Sequence, residues 1–252
     1  MNQLLYGKDI RKSFGAGDEK RYVLDGVSVK MDCGEFVAVM GPSGSGKSTL
    51  LYALSGMDGI DEGSVAFENQ KLGDLTDDAL SDLRRKRMGF VFQQPTLLKN
   101  LNVLDNIILP LMRDQRKNVK MLVPKARELM KLVGIEELAK RDITQASGGQ
   151  LQRAGICRAL MCEPKIIFGD EPTGALNSKA AGEVMELLSQ INRDGTAILL
   201  VTHDVNVAAR ADRVLFLCDG KVVDEERLGK YSGTGLEGRI DEITEKMRKL
   251  GI

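Results

Sequence analysis

Three short stretches carry residue types that can do phosphate chemistry. "GPSGSGKST", residues 41–49, lies between the apolar run "EFVAVM" and the helical run "LLYALSGM". Its G-x-x-x-x-G-K-[ST] spacing between a strand and a helix is that of a phosphate-binding loop. Gly44 and Gly46 let the backbone curl so that its N–H groups face an anion, and the helix N-terminus adds its dipole. Lys47 places a point charge near the β- and γ-phosphates, and the Ser48 hydroxyl suits a Mg²⁺ shell. The residues expected to hold a nucleoside triphosphate are Gly41, Ser43, Gly44, Ser45, Gly46, Lys47, Ser48 and Thr49. In "KIIFGDEP", Asp170 closes an apolar strand and is placed for the Mg²⁺ water shell, with Glu171 next to it as base or polariser of an attacking water. The third stretch is "VTHD", which holds His203, the only histidine of 252 residues. A lone histidine is by default an ordinary packed residue. His203 stands apart because it ends what reads as a buried strand, on the sheet edge that also carries Asp170 and Glu171, where open α/β sheets bind their ligands.

The elements that must position these groups follow from the hydrophobic pattern. Short apolar runs alternate with stretches of helical period, the signature of an α/β domain with a largely parallel sheet. Strands are expected at 35–41, 88–93, 165–171, 196–204 and 213–223, the last read as one element, while "GSVAFENQKL" alternates like an antiparallel hairpin. Between Gln94 and about Ala154 the runs "NVLDNIILPLM", "VPKARELMKLVGI" and "EELAKRD" read as short helices. The expected organisation is an ATPase-sized domain over 1–226 with a helical subdomain inserted at about 94–154. A tail over 227–252 follows, in which Ile240, Ile243, Met247 and Leu250 share one stripe of a final helix.

Composition narrows the classes. Thirty-six basic and thirty-six acidic residues leave no net charge for a nucleic-acid partner, and the 42% apolar content is that of a globular chain. No apolar run approaches the roughly 18 residues that span a bilayer. The N-terminal "MNQLLYGKDIRKSF" is charged early and lacks a signal-peptide h-region. The expectation is a cytosolic protein that reaches a membrane only through a partner. Cys33, Cys157, Cys162 and Cys218 form no C-x-x-C pair and read as buried, reduced thiols. The basic run "RRKR", 84–87, reads as the solvated end of a helix, where cations complement the dipole, and not as a nucleic-acid patch.

The segment "QASGGQLQRAGICRAL", 145–160, resembles the signature peptide of ATP-binding cassette (ABC) ATPases. With Gln93 after "GFVF", the pair "DE", "PTGALN" and His203 in "VTHD", the resemblance runs in order over roughly residues 4–225. It implies a RecA-like P-loop core with an N-terminal antiparallel β subdomain and an inserted helical subdomain. It also implies ATP and Mg²⁺ as ligands and hydrolysis of ATP. By the same resemblance Phe14 stacks on adenine, with Tyr22 as second choice. Gln93 touches the Mg²⁺ or the attacking water and senses a transmembrane partner. Ser147, Gly148, Gly149 and Gln150 bind the γ-phosphate held by a second copy in a head-to-tail dimer. The physical reason is sound, because Ser147 starts a helix whose first N–H groups suit an anion.

Three positions depart from the family pattern. Ala146 replaces the usual Leu, Gly169 precedes Asp170 and loosens the strand end, and Asn177 replaces the usual Asp, keeping the hydrogen bonding and losing the charge. Glu171, Gln93 and His203 are intact. "GFVFQQPTLLKNLNVLDNIILPL" and "DEPTGAL…SK" are similar to the ATPases of lipoprotein release, macrolide export, cell-division signalling and antimicrobial-peptide resistance. "EPTGALNSK", "VLFLCDGKVV" and the final helix resemble the bacitracin-type resistance group. The implied protein works at the cytoplasmic face of a membrane, beneath a permease with a large extracytoplasmic domain. The alternative is a soluble ABC ATPase acting on DNA or ribosomes. Chromosome-type members carry a long coiled coil, which is absent between loop and signature, and translation-type members usually hold two cassettes. A small-molecule kinase with the same loop gives no account of "SGGQ".

Overall fold

A computed structural model describes residues 3–115 and 119–252. Residues 1, 2 and 116–118, which fall within the ranges expected for the domain and its helical insert, lie outside the described residues. The parallel strands of the larger sheet are β3 (Phe36–Met40), β6 (Met88–Phe92), β7 (Ile166–Asp170), β8 (Ala197–Val201) and β9 (Arg213–Cys218), with β6 at one edge and an antiparallel β10 (Lys221–Arg227) at the other. Their order is β10-β9-β3-β8-β7-β6, with every pair parallel except β10 on β9. All residues of β3 and β8 are buried. Helices cover both faces, so these strands read as continuous apolar runs.

The expected strand 213–223 is in fact two. Asp219 (φ +46°) and Gly220 (φ +73°) both take left-handed conformations, and the chain reverses there into an antiparallel hairpin. Asp-Gly is a strong short-range hairpin signal, and apolar residues on either side of it hid the turn. A second, antiparallel sheet has the order β2-β1-β4-β5, built from β1 (Gln3–Phe14), β2 (Arg21–Asp32), β4 (Glu62–Phe67) and β5 (Gln70–Lys71). Helix α1 (Lys47–Leu54) lies between the sheets and buries Leu50, Leu51 and Leu54 in the core they share.

Helix α2 (Asp77–Arg87) starts on a Thr76 cap that accepts from the Ala79 N–H, and it ends on the basic run. Those cations are occupied locally. Arg84 donates to the Gly56 carbonyl, Arg85 and Lys86 pair with Asp82, and Arg87 pairs with Glu68. The stretch after β6 is helical as expected, with α3 (Val103–Ile108), α4 (Met112–Gln115) and α5 (Val119–Leu132), while "EELAKRD" shortens to a 3₁₀ turn at Glu136–Leu138. Helix α6 (Gly148–Leu160) belongs to both regions, packing Ala154 and Cys157 against α3 and α5 and Ile156 and Ala159 against the sheet.

Helix α7 (Ser178–Arg193) covers the far face, and a one-turn α8 (Val205–Ala208) follows β8. The final helix α9 (Leu236–Leu250) docks as its stripe implies. Ile243 is fully buried, with Ile240, Met247 and Leu250 packed around it. Arg239 fixes it by donating to the carbonyls of Ala209, Ala211, Leu228 and Gly229, and the Tyr231 ring lies within cation–π distance of both Arg210 and Arg239.

The cysteines depart from expectation. Only Cys157 is buried, and burial pushes its thiol up to about 12, whereas Cys33 is exposed and Cys162 and Cys218 are half-buried. No helix among the described residues is long and apolar enough to cross a membrane.

Candidate functional site: the carboxyl edge of the parallel sheet

Four strands of the larger sheet end at one edge. β3 runs into the loop 41–46, β6 into Gln93, β7 into Asp170 and Glu171, and β8 into Thr202 and His203. The loop after β3 turns into α1 at Gly46, whose φ of +100° is open to glycine without strain. A Cβ there would also lie 2.6 Å from the Val23 carbonyl of β2. The close approach ties the loop to the small sheet. Lys47 is nearly buried and donates to the carbonyls of Gly41 (2.9 Å) and Pro42 (2.7 Å). Burial lowers its pKa, and the carboxylates of Glu171 and Asp170 oppose that shift. The Ser45 hydroxyl is buried and has no partner, an orphaned donor inside the loop.

Asp170 accepts two hydrogen bonds from hydroxyls. Ser48 Oγ donates to Oδ1 at 2.9 Å and Tyr52 Oη donates to Oδ2 at 2.8 Å. Burial and this carboxylate push the Tyr52 phenol up to about 12. Sequence reasoning placed Ser48 and Asp170 but missed Tyr52. The residue lies one helical turn beyond Ser48 on the same face of α1, and that spacing was the available signal. Ser48, Tyr52, Phe92, Gln93, Gln94, Thr96, Asp170 and Glu171 line an open cleft of about 610 Å³.

Glu171 follows the strand in a left-handed conformation, φ +47°. Its N–H donates to the Val201 carbonyl and its own carbonyl accepts from Gly174. A non-glycine residue held in this way is a strained position fixed by its surroundings, as functional positions often are. Glu171 Oε1 lies 3.0 Å from His203 Nδ1. A Cβ on Gly174 would come within 2.9 Å of the Gln93 amide and 3.2 Å of Glu171 Oε2, so this glycine keeps room for both side chains. His203 itself is not on the strand. β8 ends at Val201, and the imidazole stands on the following loop, 68% exposed, with Asp204 capping α8 behind it.

Gly169 does not loosen the end of β7. It is buried and pairs with Val91 and Leu200, and a Cβ would meet Leu200 at 3.4 Å. The neighbouring side chains supply the packing that the missing one would give. Phe14 and Tyr22 are both about half exposed at the ends of adjacent strands beside the loop, each with a lysine ammonium over its ring (Lys12 at 5.3 Å, Lys20 at 5.2 Å).

The signature segment lies elsewhere. Ser147 Oγ accepts from the Gln150 N–H while Gln150 Oε1 accepts from the Ser147 N–H, a complete capping box at the start of α6. Ser147 and Gly148 are exposed, and a Cβ on Gly149 would touch Ala180 of α7 at 3.0 Å. No described contact joins this group to the loop 41–49 of its own chain. Farther along α6, Gln152 donates to the Phe92 carbonyl, and Arg158 donates to the Thr96 carbonyl and hydroxyl. These bonds tie the helix to the segment carrying Gln93, a link the sequence did not reveal. Asn177 caps α7, its Oδ1 accepting from the Ala180 N–H at 2.9 Å.

A parallel sheet whose first loop is a glycine-bent phosphate cradle, with two acids and a histidine at the same edge, defines a P-loop nucleoside triphosphatase. Comparison with known proteins narrows the class. The family model described as "ABC transporter" matches residues 24–174. The ABC transporter ATP-binding protein MJ0796 of Methanocaldococcus jannaschii, itself uncharacterized, is 44% identical over 225 residues, covering 88% of this chain and 96% of that one. The macrolide export ATP-binding/permease protein MacB of Shigella flexneri is 43% identical over 223 residues, and the chain spans only 34% of its length. Among solved structures, the dimeric structure of the MJ0796 cassette superposes with a TM-score of 0.84 at 42% identity, over 90% of this chain and all of that one. A post-hydrolysis dimer of the same cassette bound to ADP and Pi gives 0.81 at 40% identity, over 90% of this chain and all of that one. The chain belongs to the ABC transporter family, as an ATP-binding and ATP-hydrolysing subunit.

Proposed function

We propose that the chain hydrolyses MgATP as a head-to-tail homodimer to drive an integral membrane permease from the cytoplasmic side. The observation that carries this reading is the convergence of Ser48–Asp170 and Glu171–His203 on one sheet edge, with Ser147 and Gly148 exposed and joined to the loop 41–49 by no described contact. Gly41, Ser43 to Thr49 and the ring of Phe14 bind ATP, and the orphaned Ser45 hydroxyl fits an oxygen-rich ligand in the loop. Mg²⁺ fits Ser48, Gln93 and Asp170: the donors are all oxygen, and Ser48 spends its proton on Asp170, leaving its lone pairs for a hard cation. Bound there, Mg²⁺ neutralises charge on the phosphate oxygens.

Glu171 accepts a proton from the attacking water, and the His203 imidazole holds the carboxylate in place. The exposed N-terminus of α6, Ser147 to Gln150, binds the γ-phosphate held by the partner copy, with the Gly148 and Gly149 N–H groups, which lie outside the capping box, as its backbone donors. Two such copies close two sites, and the solved MJ0796 cassette is itself dimeric. Residues 1–226 form the ATPase domain, the helical insert at about 94–154 docks the permease near Gln93, and 227–252 form a docked tail. The MacB relatives, named ATP-binding/permease proteins, extend well beyond the cassette matched by this chain. In this reading the membrane partner is a permease with a large extracytoplasmic domain. Antimicrobial-peptide export or resistance is the role that the resemblance to the bacitracin-type group supports.

The test is ATPase turnover of the purified chain with and without its permease. It is expected to depend on Mg²⁺ and to fall about 10³-fold in Glu171→Gln. Activity unchanged by that substitution, or co-purification with DNA or ribosomes in place of a membrane protein, overturns the reading. Loss of bacitracin resistance on deletion of the gene would support the substrate assignment, and unchanged resistance would remove it.

A further inference from the structure

Tyr52 is not used by the function proposed above, yet its hydroxyl makes a short bond inside the cleft. Its Oη donates to Asp170 Oδ2 at 2.8 Å while Ser48 donates to Oδ1 at 2.9 Å, so each oxygen of the carboxylate already accepts one hydrogen bond. The phenol ring is half-buried and packs on the core beneath α1, which fixes where the hydroxyl points. Tyr52 also lines the cleft beside Ser48, Gln93 and Glu171. Each oxygen keeps a further lone pair, but with both bonds in place Ser48 and Tyr52, and not the cation, set how the carboxylate is turned.

We propose that Tyr52 is a positioning residue that sets the metal preference of the site. By holding Oδ2, it keeps Asp170 from acting as a two-oxygen ligand. Small Mg²⁺ keeps most of its waters and asks for one or two carboxylate contacts in octahedral geometry, whereas Ca²⁺ readily takes bidentate carboxylates and more ligands. The Tyr52 bond therefore favours Mg²⁺ over Ca²⁺. This inference rests on the Mg²⁺ reading of Ser48 and Asp170.

The experiment measures metal binding without turnover. The protein saturated with a non-hydrolysable ATP analogue is loaded with Mn²⁺, followed by EPR, and competed with Mg²⁺ or Ca²⁺. Tyr52→Phe removes the hydroxyl and keeps the ring, and Tyr52→Leu removes both. The loss of a hydrogen bond to a charged group is expected to shift the Ca²⁺/Mg²⁺ competition ratio about tenfold toward Ca²⁺ in both variants, with the KM for ATP at saturating Mg²⁺ nearly unchanged. A ratio in Tyr52→Phe equal to that of the wild type overturns the inference and leaves Tyr52 a packing residue. If the wild type holds no protein-bound Mn²⁺, or Asp170→Asn holds it as tightly, the metal reading fails and this inference with it.

Discussion

The carboxyl edge of the sheet and the N-terminus of α6 both present groups suited to phosphate, but they are finished to different degrees. At the edge, side chains far apart in sequence bond one another: Ser48 and Tyr52 to Asp170, and His203 to Glu171. At α6, the side chains of Ser147 and Gln150 bond each other's backbone, Gln152 and Arg158 reach back to Phe92 and Thr96, and Arg153 pairs with Glu183 of α7. The first region is assembled by one chain. The second is capped and exposed, and in the function proposed above its anion arrives on another copy, so that chemistry is built within the chain and closure between chains. The bonds of Gln152 and Arg158 join α6 to the segment that carries Gln93.

The largest test of that division is Glu171→Gln. The amide keeps the shape and removes the base, so turnover is expected to fall about 10³-fold while binding of a fluorescent ATP analogue stays within about twofold, because the phosphate loop makes no bond to Glu171. Equal losses in binding and turnover would merge the two roles assigned to the edge. His203→Ala comes next. The imidazole touches Glu171 and is otherwise exposed, so its removal should lower kcat about 10²-fold with little change in KM. A raised KM with normal kcat would make His203 a binding group only.

Ser147→Ala probes the other region. Losing half of the capping box costs about 1 kcal/mol, a fall of roughly 2–4 °C in Tm for a chain of this size. The same variant should weaken ATP-dependent dimerisation measured by light scattering. A Tm loss without any change in dimerisation would leave α6 a well-capped helix and nothing more.

The phosphate loop, the acid pair and the histidine were legible because each is a local word: fixed residue types at fixed spacing, next to a strand whose apolar run is unmistakable. The signature segment became legible only by resemblance, since Ser147–Gln150 alone announces a capping box. What the sequence hid are long-range pairings. Nothing near Tyr52 names Asp170 as its acceptor, and Gln152 and Arg158 carry no mark of the β6 loop they hold. Apolar continuity misled twice. It fused β9 and β10 across Asp219-Gly220, and it carried β8 past Val201 to the exposed His203. At Gly169 the absent side chain suggests a loose strand end, whereas Leu200 and Pro172 already stand in ordinary contact distance of where its Cβ would be.

Asn177→Asp gives the smallest effect and the sharpest comparison. Asn177 caps α7 with its amide oxygen, and a carboxylate caps equally well while adding a charge that complements the helix dipole, worth about 0.3–1 kcal/mol at low salt. The substituted chain should therefore melt at the same temperature or slightly higher. The gain should shrink as salt screens it and disappear as pH falls and the new carboxylate protonates. A drop in Tm would mean that Asn177 makes contacts beyond its cap. The same substitution restores the acid that the family usually carries there. If Asn177 acts only within its own chain, the dependence of turnover on protein concentration will not change. If residue 177 meets the partner across the interface, that dependence will shift while Tm stays level. Only the second outcome extends the outward-facing region from α6 to the start of α7.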